Sequence, residues 1–185
     1  MKMDYVPLRE KSIILIGFMG VGKTTIGKSV AKKLFRDFID TDQEIEDAFQ
    51  MPPTKIFQTY GEKAFRQKEK EIITNLCNQR LKIISVGGGA FLQEEIRQVC
   101  LSKCIVIYLD LSWEFWKERA NILIESRPVL QGKNSEDMKK LFDERSPIYE
   151  EHHSKVVTDH LDVEEVSDFL VDSLKTAWDI YEPNH

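Results

Sequence analysis

The segment Gly17-Phe18-Met19-Gly20-Val21-Gly22-Lys23-Thr24 constrains this chain more than any other. It follows the apolar run Ile13-Ile14-Leu15-Ile16 and leads into Lys23 to Leu34, which carries helical periodicity. A strand, a glycine loop and a helix in that order are the opening of a βαβ unit, whose strands lie in a parallel sheet covered by helices. The GxxxxGK[ST] spacing adds chemistry. Glycines let backbone N–H groups turn inward around phosphate oxygens, and the helix start contributes the positive end of its dipole. Gly20, Val21, Gly22, Lys23, Thr24 and Thr25 are then the candidate nucleotide contacts, with Lys23 reaching the β- and γ-phosphates and the Thr24 hydroxyl helping to hold Mg²⁺. The same loop serves GTPases, ATPase motors and kinases of nucleotides or metabolites, so other motifs must choose.

The rest of the chain continues the βα rhythm. Ile13 to Gly17, Phe38 to Asp40, Lys82 to Val86, Cys104 to Asp110 and Lys155 to Thr158 read as strands. Lys23 to Leu34, Glu62 to Gln79, Gln93 to Leu101, Ser112 to Ile124, Ser135 to Glu151 and Val163 to Ile180 read as helices, with Ser112 a candidate N-cap and Ser135 marking the start of the fifth predicted helix. The fold class expected is α/β, a three-layer P-loop fold with a central parallel five-stranded sheet. Residues 1–185 are expected to form one domain, with a mobile lid at about 120–134.

Apolar residues at 42% and charged residues at 31% describe a globular chain expected to fold as a monomer. The net charge of -5 argues against a nucleic-acid partner, which needs a broad basic surface. No stretch approaches the length of a membrane span, and the start has neither the composition nor the cleavage site of a secretory signal. Three cysteines without metal-site or redox-pair spacing fit a reducing cytoplasm and buried apolar positions.

Three further motifs narrow the chemistry. Asp40 and Asp42, in Phe38-Ile39-Asp40-Thr41-Asp42, place two carboxylates on one side of an extended chain. One can hold Mg²⁺ while the other accepts a proton from an acceptor hydroxyl; Asp42 as an acidic helix cap is the alternative. Arg66 lies one helical turn beyond Glu62, suited either to a surface ion pair or to a carboxylate ligand. Gly87-Gly88-Gly89 ends the third predicted strand and exposes backbone N–H groups where open α/β sheets bind ligands. Asp110 ends an apolar run and reads as structural, and the histidines near the C-terminal end read as exposed.

Taken in order, GFMGVGKTT, FIDTD, GEKAFR at 61–66, GGG at 87–89, RPVL at 127–130 and ERSPIY at 144–149 resemble the shikimate kinase family from about Ile13 to about Thr158. The resemblance implies transfer of the ATP γ-phosphate to the 3-hydroxyl of shikimate, in the biosynthesis of chorismate. It places Asp40 near Mg²⁺ and gives Asp42 the shikimate hydroxyls and the role of base. It makes Arg66 and Arg145 a clamp on the shikimate carboxylate, sets Gly87, Gly88 and Gly89 along the ring and γ-phosphate, and makes Phe57 and Phe65 apolar walls. Arg127, on the lid, would close over the transferring phosphoryl group with Lys23. Where the family often carries a basic residue near adenine, this chain has Ala120 with Arg119 beside it. Two other readings remain: another metabolite kinase, such as a gluconate kinase, and a nucleotide-binding regulatory module without catalysis.

Overall fold

The computed structural model describes residues 5–123 and 132–183. Within them five parallel strands, β1 (Ile13–Ile16), β2 (Asp37–Asp40), β3 (Lys82–Ser85), β4 (Ile105–Asp110) and β5 (Ser154–Val157), form a sheet of order β2-β3-β1-β4-β5. The central strand β1 reads Ile-Ile-Leu-Ile and every one of its side chains is fully buried. A strand covered on both faces has no use for polar alternation, and each such side chain stabilises the fold by roughly 1.5–3 kcal/mol. Register follows from this packing: Ile14 lies opposite Ile84 of β3 and Val106 of β4.

The helices are α1 (Lys23–Leu34), α2 (Thr41–Phe49), α3 (Pro53–Cys77), α4 (Glu94–Lys103), α5 (Trp113–Leu123), α6 (Ser135–Tyr149) and α7 (Val163–Tyr181). The helix α1 packs against α7 and β3, and α4 packs against α3 and β4. Because β1 has β3 on one side and β4 on the other, the chain changes direction across the sheet there. Ligand sites of such sheets open at the carboxyl ends of the strands, at that switch point.

The structure departs from the sequence reading in two places. The helix α2 and the first half of α3 were absent from it. Asp40, not Asp42, is the cap: its side chain accepts the N–H of Asp42, so Asp42 sits in a helical first turn and not in extended chain. The alternation of carboxylates expected of a strand therefore ends at Asp40. Helix α3 contains a break at Gly61, whose φ of 83° only glycine adopts easily, and the predicted helix beginning at Glu62 is its second half. The helix α6 begins at Ser135, as expected, and its cap is Asn134, which forms a reciprocal capping box with Asp137.

The three cysteines are buried, with the Cys77 and Cys100 sulfurs 3.7 Å apart where α3 meets α4. Trp116 and Trp178 are also buried in the main core. Among the described residues no helix is long and apolar enough to cross a membrane.

Candidate active site

Two adjoining cavities open above the carboxyl ends of β1, β2 and β3. One, of about 240 Å³, is lined by the glycine loop; the other, of about 270 Å³, lies over α2 and α3. Met19, Asp40, Asp42, Gly87 and Gly88 line both. A donor held in the first therefore meets an acceptor held in the second across the two aspartates.

The first cavity is shaped by backbone. Gly20 and Gly22 have φ of 79° and 99°, the left-handed conformations that aim successive N–H groups to one side. Gly22 caps α1, so the helix dipole ends at the cavity. Lys23 is buried, with its Nζ donating to the carbonyls of Gly17 and Phe18 at 2.8 and 3.0 Å. Thr24 donates its hydroxyl to Asp40 Oδ2 at 2.7 Å, while Asp40 Oδ1 accepts the Asp42 N–H at 3.0 Å. A hydroxyl and a carboxylate side by side, next to phosphate-binding N–H groups, form an oxygen donor set of the kind Mg²⁺ takes beside a nucleotide.

Gly20, Gly22, Lys23, Thr24 and Thr25 all line this cavity. Val21 does not; its side chain is buried in the core. Arg119 is exposed on α5 and lines neither cavity. Arg127 and most of the 120–134 segment lie outside the described residues.

The second cavity is built from charge and ring. Phe57 and Phe65 wall it, their ring centroids 4.8 Å apart. Arg66 lies at its edge, pairing with Glu69 at 2.8 Å and, more loosely, with Glu62 at 3.5 Å. Both readings of Arg66 thus coexist: the Glu62 ion pair forms, and the guanidinium also lines the cavity. Arg145 is 6% exposed, and its Nε and Nη1 have no hydrogen-bond partner among the described residues. Burial pulls its pKa down from the ordinary arginine value. A buried guanidinium with open donors is costly by itself, and an anion in the cavity removes that cost.

The glycine triplet is required by close approach. A Cβ at Gly87 would stand 2.6 Å from Asp42 Oδ1, and one at Gly89 would stand 2.6 Å from Arg66 Nη2. Any side chain there would push the carboxylate or the guanidinium out of place.

Glu69 escaped the sequence reading. It is 1% exposed, accepts from Arg66 and from Gln93 at 2.9 Å, and burial raises its pKa above the ordinary carboxylate range against the pull of Arg66. Its spacing of three from Arg66 was the available signal. Asp110 ends β4 and accepts from the Tyr108 hydroxyl at 3.3 Å, away from both cavities, as a structural residue would.

Comparison with known proteins adds an independent observation. The family model described as shikimate kinase matches residues 19–175. A shikimate kinase of Oceanobacillus iheyensis is 64% identical over 181 residues, 98% of this chain and 99% of that protein. One from Bacillus subtilis is 58% identical over 96% of both chains. The solved structure of shikimate kinase from Acinetobacter baumannii in complex with shikimate superposes with a TM-score of 0.85 at 30% identity, over 90% of this chain and 94% of that one. A gluconokinase from Sinorhizobium meliloti, at 18% identity and a TM-score of 0.60, shares the fold alone. A match over most of the chain, joined to a phosphate loop and an anion cavity that share two aspartates, leaves one conclusion: this chain belongs to the shikimate kinase family.

Proposed function

We propose that this chain transfers the γ-phosphate of ATP to the 3-hydroxyl of shikimate. The observation that carries the acceptor assignment is Arg145, a buried guanidinium with two nitrogens unpartnered among the described residues, on the wall of a cavity that Arg66 and Asp42 also line. Shikimate is a small carboxylate with vicinal hydroxyls, so two guanidiniums and one carboxylate are its complement.

In this reading Arg66 and Arg145 hold the shikimate carboxylate, with Phe57 and Phe65 against the ring. Asp42 accepts the proton of the attacking hydroxyl as its oxygen forms a bond to the γ-phosphorus and the bond to the β-phosphate oxygen breaks. Gly20, Gly22, Thr25 and the α1 N-terminus hold the phosphates through backbone N–H groups, and Lys23 offsets the charge that develops on the transferring group. Arg127, by the resemblance of its Arg-Pro-Val-Leu segment, would add positive charge to the transferring group. Thr24 and Asp40 hold Mg²⁺, which neutralises β- and γ-phosphate oxygens when bound.

The test is ADP release with ATP and Mg²⁺ in the presence of shikimate, gluconate or buffer alone. Stimulation by shikimate only is expected. ATP binding without stimulation by either acceptor would replace this reading with that of a nucleotide-binding regulatory module.

A further inference from the structure

Helix α6 ends at Tyr149, one turn after Arg145 on the same helical face. The Tyr149 side chain is 1% exposed, and its hydroxyl donates to the carbonyl of Gly88, the middle glycine of the triplet. Its ring packs on Tyr108 of β4 with centroids 5.5 Å apart. Burial holds the phenol well above the ordinary tyrosine pKa, and the neighbouring Arg145 guanidinium counters only part of that rise, so the hydroxyl keeps its proton and remains a donor.

Gly88 has no side chain through which to be held. A Cβ there would lie 3.0 Å from the Met19 N of the phosphate loop, so its position also sets how closely the two loops approach. Gly88 and Arg145 both line the acceptor cavity. One phenol therefore fixes a backbone wall of that cavity and stands a turn from a guanidinium that also lines it. On the phosphate-loop side a different residue plays the corresponding part: the Trp116 indole N–H donates to the Met19 carbonyl at 2.6 Å.

We propose that Tyr149 is a positioning residue for the acceptor: its hydroxyl sets the spacing between the Gly88 carbonyl and Arg145, and so the affinity for the anionic acceptor, while Trp116 does the equivalent for the nucleotide loop. This rests on the reading of shikimate as acceptor.

The experiment compares wild type, Tyr149→Phe and Trp116→Phe in steady-state assays varying shikimate and ATP separately, with direct titration of shikimate and thermal unfolding of each protein. Tyr149→Phe is expected to raise the shikimate KM about tenfold and leave the ATP KM within twofold; Trp116→Phe is expected to do the reverse. In an Arg145→Lys background the effect of Tyr149→Phe on shikimate is expected to shrink to less than threefold, because the two residues act as one unit. Equal rises in both KM values, full additivity with Arg145→Lys, or a Tyr149→Phe chain that does not fold would each overturn the proposal and assign the hydroxyl to stability alone. A wild-type protein inactive towards shikimate would instead overturn the functional reading, before any variant is made.

Discussion

Two buried or partly buried arginines sit at opposite ends of the sheet and are treated in opposite ways. Arg36, at the amino end of β2, donates to the carbonyls of Lys11 at 2.9 Å and Arg9 at 2.5 Å and stacks 5.1 Å from the Trp178 ring. Around it Arg9 reaches Asp179 at 2.7 Å and the Glu182 carbonyl, tying the N-terminal segment to the end of α7. Arg145, at the carboxyl end, is more deeply buried and has two guanidinium nitrogens without partners among the described residues. Folding satisfies the first cation and leaves the second unsatisfied. Arg36 thus helps to hold the chain together, whereas Arg145 is left with donors that a ligand can take.

If that contrast is right, substitutions at the carboxyl end cost activity and those at the amino end cost stability. Lys23→Ala is expected to lower kcat by about a hundred- to a thousandfold, the cost of removing one electrostatic donor to a developing charge. Single-turnover assays beside a melting curve check this. Arg145→Met is expected to weaken shikimate binding by roughly 3 kcal/mol, about a hundredfold. The same variant should melt no lower than wild type, since it removes a buried charge that no acidic side chain among the described residues pairs. A large loss of stability in Arg145→Met would break the comparison.

Arg36→Met supplies the converse. It leaves two backbone carbonyls without their donor, and a loss of about 1–3 kcal/mol in denaturant unfolding is expected with kcat and both KM values unchanged. Altered kinetics would show that the two ends communicate.

The smallest effect concerns His153, also on the structural side. Its Nδ1 accepts the Val106 N–H at 2.9 Å, and partial burial, aided by Lys11, lowers its pKa below the ordinary histidine value. Above about pH 6.5 the imidazole is neutral whether folded or unfolded. As pH falls through that value the unfolded chain takes the proton first, so stability falls from there down through the folded-state pKa. Unfolding followed between pH 7.5 and 5.5 should show this slope, and His153→Gln should flatten it.

Much of this molecule was legible in the order of its residues. The run Ile13 to Ile16, the GxxxxGK[ST] loop and the helix behind it identify a parallel sheet and a phosphate site, because local periodicity and glycine spacing are properties of neighbouring residues. Asp42, Arg66, the glycine triplet and Arg145 were recognisable as motif members, and the structure brings all of them to one cavity. What sequence could not decide depends on contacts between distant segments. Asp40 becomes a helix cap because the chain turns there over β3, and the α2–α3 pair holds its own small cluster of Ile45, Ile56 and Phe65, too short in each segment to announce a helix by period. Glu69 and Tyr149 do not show their burial until folding brings Gln93 to the one and Gly88 to the other. The sequence by itself determined the strand, the loop and the charges available; only the tertiary structure decided which charges would be buried, because burial is a relation among segments that the chain places side by side.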